Sequence, residues 1–294
     1  MHTFQVTLGS NPQPTIEYTA NFEHTKVSVV NCDTATALRT AVGLHPTRKV
    51  AALNFANANH IGGGYTSGAC AQEEDLCRLM PMLHTQLSSK REFYPLREDA
   101  ALFTRTALCR MAGTYQLTAP LPVNIITSAM PNMGSPEVVK ALKGLRYEES
   151  VRTRMRAVLN AAVHFGVEVL ILGAFGCGAF RNNSRTVARL FQEVLSSSEF
   201  AGAFSHITFA ILEVGRMRTG GNLAVFREVF GAPRERGTLS KRVPVKPRSA
   251  PHPPHSPAKD AGSSSLVPCA LGAQPVGTPL AHITGVKRTC GSAR

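Results

Sequence analysis

The sequence predicts an α/β fold, a partly parallel sheet with helices packed on both faces. Three observations carry this expectation. Short β-branched apolar runs alternate with stretches of helical periodicity from about residue 26 to residue 230, the pattern of strands joined by helices. Two of the runs, "KVAALNF" (49–55) and "VEVLILGAF" (167–175), are apolar almost throughout, as strands buried on both faces must be. A glycine-bearing loop follows each of them, at 62–64 and 176–178. In open α/β sheets ligands sit beyond the carboxyl ends of the strands, so the two loops are expected to share a site.

Taken in order, "KVSVV" (26–30) reads as a strand and "TATALRTAVGL" (34–44) as a helix with threonines available to cap it. The run 49–55 is the central strand. After the first glycines one helix is expected from about residue 71 to residue 87. "LFTRTALCRM" (102–111) alternates faces as a strand does, and "VNIITSAM" (123–130) is a further strand closed by Pro131 and Asn132. A long helix over 147–165 presents Val151, Met155, Val158, Leu159 and Ala162 on one face. The buried strand 167–175 leads into the loop "GCGAFRN" (176–182) and a helix over 184–200 with Ser184 as its cap. "HITFAIL" (206–212) is the last strand and 222–230 a short helix.

Composition divides the chain into an expected folded domain, 1–232, and a tail, 233–294. The tail holds 10 of the 19 prolines, 10 Lys/Arg, two acids and no aromatic residue, too little apolar surface to offset the entropy of ordering. It reads as disordered and basic. The remaining 22 basic and 17 acidic residues leave the domain at +5 of the chain's total of +13. Positive charge suits an acidic polymer or nucleic acid, contacted through the tail, and equally a plain solubilising appendage. "SKRVPVKPR" (240–248) resembles a nuclear-import patch.

Seven cysteines without a C-x-x-C pair argue against a disulfide framework. Cys70 and Cys77 are expected as buried thiols two helical turns apart. The ten histidines show no zinc spacing, and no apolar run approaches a membrane span. The polar beginning of the chain is no signal peptide. These features describe a reducing, intracellular, soluble protein, cytoplasmic or nuclear, with no metal, cofactor or membrane partner.

The chemistry lies in the two loops. Gly62, Gly63 and Gly64 let the backbone reach positive φ and let a ligand approach the main chain. Their amides suit an anionic group; a tight turn without a ligand is the alternative. Gly176-Cys177-Gly178-Ala179-Phe180 precedes a helix and suits a diphosphate by the same physics. Arg181 stands where the dinucleotide fingerprint has its third glycine, and no G-x-x-x-x-G-K-[ST] occurs. Phe180 either stacks on a base or ribose or fills the core.

Glu73 and Glu74 point about 100° apart on a helix, yet at a loop–helix junction both can reach one ligand. Neighbouring carboxylates raise the pKa of one of them, and a carboxyl kept protonated can act as a general acid. The alternative is a solvated pair that favours the helix macrodipole. With Asn57 suited to sugar hydroxyls, the ordered set describes a site for a nucleotide sugar bearing a diphosphate.

"LNFANANHIGGGYTSGACAQEEDLCR" (53–78) resembles the signature of bacterial-type poly(ADP-ribose) glycohydrolases, three glycines and then QEE across a short spacer. "LILGAFGCGAFRN" (170–182), "IITSAMPN" (125–132) and "FAILE" (209–213) fall in the family's order, so the likeness runs over about 25–230. It implies a three-layer α/β/α macrodomain-like sandwich with a mixed central sheet. The implied activity is hydrolysis of ribose–ribose bonds in poly(ADP-ribose), the partners being that polymer and poly(ADP-ribosyl)ated proteins.

The resemblance also implies roles for individual residues. Glu74 is the catalytic acid that protonates the leaving ribose oxygen and then activates water. Glu73 holds ribose hydroxyls, Asn57 binds ribose, Gly62–Gly64 line the catalytic loop and Gln72 helps place it. Gly176, Cys177, Gly178 and Ala179 form the diphosphate loop, with Phe180 constraining a ribose or the adenine.

Three departures stand out. Ile61 replaces a proline, which is expected to loosen the turn. Phe175 replaces a tryptophan in an apolar site, with little effect expected. The helical N-terminal extension is short or absent. Two rivals keep the fold: an ADP-ribose-binding reader, and a hydrolase acting on mono-ADP-ribosylated targets. A third, nucleic-acid binding through the tail, predicts steep salt dependence and loss on truncation at 232.

Overall fold

The computed structural model describes residues 2–7, 21–213 and 221–231. The expected tail, 233–294, with its basic patch, lies outside the described residues. So does most of the stretch where an N-terminal extension would be sought.

Strand β1 (Thr3–Thr7), whose alternation the sequence reading passed over, opens the chain and is followed by β2 (Lys26–Val30). Helix α1 (Thr34–Leu44) is capped by Asp33 rather than by a threonine, Oδ1 accepting from the Thr36 N–H at 2.8 Å. Strand β3 (Val50–Phe55) leads into the glycine loop. The single helix expected over 71–87 is two, α2 (Gln72–Leu79) and α3 (Pro81–Ser88). Pro81 has no N–H to continue the ladder and drives Met80 out of helical geometry, with ψ at 78°.

Strands β4 (Ala100–Arg110) and β5 (Leu117–Ser128) form a long antiparallel hairpin. β5 starts six residues before the predicted strand, passing through Pro120 and Pro122. The prolines are tolerated because β5 pairs with β3 only from Asn124 onward and leaves one side unpaired before that. Helix α4 (Pro136–Ala141) was not predicted; Ser135 caps it. Helix α5 (Leu145–His164) carries the predicted apolar face.

Strand β6 (Val169–Leu172) is shorter than the apolar run around it. It stops because Gly173 passes under Ala210 O and the Phe55 ring, where a Cβ would stand 2.7 Å from each. Asn183, not Ser184, caps helix α6 (Ser184–Ser196), accepting from the Thr186 N–H. Strand β7 (His206–Ala210) and helix α7 (Asn222–Gly231) complete the described chain.

The strands form one sheet in the order β1-β4-β5-β3-β6-β7-β2. β1, β4 and β5 pair antiparallel, whereas β5, β3, β6, β7 and β2 run parallel. Two apolar cores flank it. Helices α5, α6 and α7 close over Leu53, Phe103 and Phe209 on one face. Helices α1, α2 and α3 cover Ala52, Leu102 and Ile125 on the other. This is the α/β/α sandwich with a mixed sheet and with β3 at its centre. The carboxyl ends of β3, β5 and β6 therefore open onto one edge, where both glycine loops lie.

Candidate active site

Helix α2 brings Glu73, Glu74 and Asp75 to its first turn. The macrodipole favours acids there, but solvation is not their fate. Glu73 is 3 % exposed and Glu74 7 %. Their carboxyls turn back into the loop that precedes the helix. Glu73 Oε2 accepts from the Asn57 N–H at 2.7 Å, and its Oε1 from the Gly62 N–H at 3.2 Å. Glu74 Oε1 accepts from the Gly64 N–H at 2.9 Å. Glu74 Oε2 is buried and has no hydrogen-bond partner among the described residues.

The triple glycine thus has a cause that differs from the phosphate cradle expected from its amides. Two of the three N–H groups serve the protein's own carboxyls, and the third, on Gly63, closes a turn on His60 O at 2.9 Å. Gly62 and Gly63 have φ of 72° and 57°. A Cβ on Gly63 would stand 2.3 Å from Glu74 Oε1 and 3.2 Å from Glu73 Oε2. The turn closes with Ile61 half-buried in place.

Gln72 ties the start of α2 to β3. Its Oε1 accepts from the Phe55 N–H at 2.8 Å, while its Nε2 donates to Leu53 O at 2.7 Å and Thr34 Oγ1 at 3.1 Å. Burial raises the Glu73 pKa to about 7, against the donors of Asn57, Asn54 and Gly62 and with help from the charge of Glu74.

A cavity of about 720 Å³ opens over the acids, within the range of small-molecule sites. Asn57, Gln72, Glu73 and Glu74 form one wall, and Gly176, Gly178, Ala179 and Phe180 face them. Gly62, Gly63 and Gly64 stand behind the acids, off the cavity wall. Asn57 uses its Oδ1 to accept from the N–H groups of Asn59 and His60, which leaves its amide N–H₂ as the group to offer a ligand. Cys177 turns from the cavity into the core, where burial pushes its thiol up to about 12. Phe180 is half-buried, lining the cavity and packing against the core. Phe175 is fully buried and stacks obliquely on Phe55.

The second loop is held from below by Asn182, a residue the motif reading passed over. Its Nδ2 donates to Pro131 O and Gly176 O, both at 2.9 Å, and its Oδ1 accepts from Tyr147 OH at 2.8 Å. The N–H groups of Gly178, Ala179 and Phe180 donate to no acceptor among the described residues. Three such amides beside the cavity and near a helix start suit an anionic group.

Residues 6–109 match the family described as microbial-type PARG, catalytic domain, PARG being poly(ADP-ribose) glycohydrolase. No curated protein sequence matches the chain. A solved structure of poly(ADP-ribose) glycohydrolase from Deinococcus radiodurans in complex with ADP-ribose is 33 % identical. That alignment covers 72 % of this chain and 86 % of the other, with a TM-score of 0.64. The chain belongs to the microbial-type poly(ADP-ribose) glycohydrolase family. The enzyme from Thermomonospora curvata, 29 % identical over 78 % of this chain and 85 % of its own, superposes with a TM-score of 0.66. Its structure bound to the inhibitor ADP-HPD is 30 % identical over 77 % and 84 %, with a TM-score of 0.64.

This glycohydrolase-family fold has a third wall that the motifs did not reveal. The β4–β5 hairpin places Ala112, Gly113 and Tyr115 on the cavity. Tyr115, at φ of 55°, donates its hydroxyl to Asp75 Oδ1 at 2.5 Å. The glycine in "RMAGTYQ" (110–116) between two strand-like runs is the turn signal that would have found it.

Cys32 and Cys70 also line the cavity. Cys70 is exposed and precedes α2, so it is not the buried helical thiol expected, whereas Cys77 is buried. Among the described residues no three His, Cys, Asp or Glu side chains stand together as a metal site. No helix among them is long and apolar enough to cross a membrane.

Proposed function

We propose that the chain hydrolyses ribose–ribose O-glycosidic bonds in poly(ADP-ribose), releasing ADP-ribose, with Glu74 as general acid and then general base. One observation carries the reading: Glu74 has one oxygen fixed by the Gly64 N–H and the other buried, without a partner, at the cavity wall. A buried polar atom left unpaired costs free energy, and a site that only reads ADP-ribose has no use for it. The Deinococcus radiodurans relative in complex with ADP-ribose supports the same ligand here.

In the proposed cycle the proton on Glu74 Oε2 passes to the bridging ribose oxygen as the C1″–O bond breaks and an oxocarbenium-like centre develops. The shortened polymer leaves with its hydroxyl restored. The Glu74 carboxylate then takes a proton from water, whose oxygen adds to C1″, and the acid is ready again. Glu73 and the Asn57 amide hold the hydroxyls of the reacting ribose. The open amides of Gly178, Ala179 and Phe180 take the diphosphate, with Phe180 beside the nucleoside. Gly62–Gly64 shape the site by fixing both acids from behind, and Gln72 sets the position of α2. Every residue named in this cycle lies within 1–232, which supports reading that span as the catalytic unit.

The test is release of ADP-ribose from a poly(ADP-ribosyl)ated protein by wild type and by Glu74→Gln. Turnover by wild type is expected, with a loss on the order of 10²–10⁴ in the variant and retained binding of ADP-ribose. Wild type that binds polymer yet releases nothing would overturn the reading. Mono-ADP-ribosylated protein would then be the next substrate to assay.

A further inference from the structure

Asn54 is a residue to which the cycle above gives no part. It is fully buried near the carboxyl end of β3, opposite Thr127 of β5. An amide in the middle of a sandwich costs stability unless it is hydrogen-bonded, and a leucine there would meet no such cost. Its Nδ2 lies 3.4 Å from Glu73 Oε1 and 3.3 Å from Thr127 Oγ1. Its Oδ1 is buried with no partner among the described residues. The fold therefore tolerates an unsatisfied carbonyl in order to keep an N–H donor aimed at Glu73.

The other two donors to Glu73 are backbone N–H groups of Asn57 and Gly62, both on the loop between β3 and α2. Asn54 is different because it hangs from the central strand of the sheet. A loop can shift when a ligand enters; a strand held in register with its neighbour, as β3 is with β5 at Asn54 itself, does not. We propose that Asn54 is a positioning residue for the reaction, anchoring the Glu73 carboxyl to the sheet so that Glu73 presents the reacting ribose to Glu74. The inference rests on the reading of these two acids given above. Thr127 contributes by bonding the same amide nitrogen, which fixes which way the amide faces.

Several ionisable groups surround Glu73. Glu74 and Cys77 lie on α2, Tyr94 lies in the segment after α3, and His84 of α3 stands beyond Gly62. None of them donates a hydrogen bond to Glu73 among the described residues. Removing the Asn54 N–H withdraws an interaction that favours the ionised carboxyl, so the Glu73 pKa moves up. Asn54→Asp adds a like charge in the same place and moves it further.

The experiment measures kcat and KM for ADP-ribose release across pH 5 to 9 for wild type, Asn54→Leu, Asn54→Ser and Asn54→Asp, with thermal unfolding of each. Asn54→Leu is expected to lose on the order of tenfold in kcat/KM, with the acidic limb of its pH profile displaced to higher pH. Asn54→Asp should show the larger displacement. A purely structural role would lower the melting temperature and leave that limb in place. A folded Asn54→Leu or Asn54→Ser with the pH profile of wild type overturns the inference while leaving the glycohydrolase reading intact. Failure of every variant to fold assigns Asn54 to stability and overturns it as well. Wild type that releases no ADP-ribose fails the underlying reading itself, and the inference with it.

Discussion

The two glycine loops look alike in the sequence and are opposites in the structure. Both follow a buried parallel strand and precede a helix. In the first, the N–H groups of Gly62 and Gly64 are taken by Glu73 and Glu74, and a Cβ on Gly63 would collide with a carboxyl oxygen at 2.3 Å. In the second, three amides have no acceptor among the described residues, and nothing lies within 4 Å of where a Cβ on Gly178 would be. Glycine serves the first loop by letting the protein's own acids come close. In the second, Gly176 at φ of 73° lets the loop pass Met130 and Asn182, and Gly178 leaves open space.

That contrast can be broken first at Gly63. Gly63→Ala puts a side chain on a backbone at φ of 57° and against Glu74 Oε1. We expect activity to fall by at least about 10²-fold and stability to drop by roughly 1–3 kcal/mol, read from ADP-ribose release and denaturant unfolding. Near-normal turnover would mean that the acids are not held by this loop.

Gly178→Ala probes the other side. The added methyl meets no protein atom, so stability should stay within about 0.5 kcal/mol of wild type. Affinity for ADP-ribose, by calorimetry, should fall by about tenfold if the proposed diphosphate site is right, because the methyl would intrude where that group is placed against the main chain. A drop in melting temperature with unchanged affinity would reverse the assignment.

A third effect is a pH dependence that belongs to the first loop alone. The Glu73 pKa is raised to about 7, so the folded state holds that proton more tightly than the unfolded chain. Its stabilising contribution is complete below the ordinary carboxyl range and is lost as pH rises through 7. The slope cannot exceed about 1.4 kcal/mol per pH unit. Unfolding of wild type and Glu73→Gln between pH 4 and 8 isolates it. The stability difference should tilt against wild type as pH rises, and a flat difference would show that burial does not protonate Glu73.

Much of this site was legible in the sequence, and the limits have physical reasons. The strand 26–30 and the helix 34–44 could be placed because β-branched runs and periodicity decide such elements locally. The order Asn57, Gly62–Gly64, Gln72-Glu73-Glu74 pointed to one site, and Asn57, Gln72, Glu73 and Glu74 do share a cavity wall. What it could not disclose was burial: acids in a first helical turn are solvated unless a loop folds back over them, and that is a tertiary event. The Pro81 break was readable and was overridden by the apolar periodicity on either side of it. The β5 prolines argued against a strand by a rule that holds only when both edges are paired. Asn54 and Asn182 lie within the runs 53–78 and 170–182, but no spacing or residue type in those runs singles them out. What the structure adds is where the sheet and the second loop place each amide, which no window of sequence contains.

The bonds of Gln72 have one more consequence. β3 pairs with β6 only as far as Ala52, after which the two strands part. Past that point Leu53 O and Phe55 N–H would be an exposed main-chain edge lining the seam. The Gln72 side-chain amide meets both, Oε1 on the N–H and Nε2 on the carbonyl, much as a residue of a neighbouring strand would. An extended peptide entering the seam therefore finds no ladder left to join. One glutamine thus occupies the two main-chain groups that the parting of β3 and β6 leaves over, at the kind of split in a β-sheet where another strand could otherwise add.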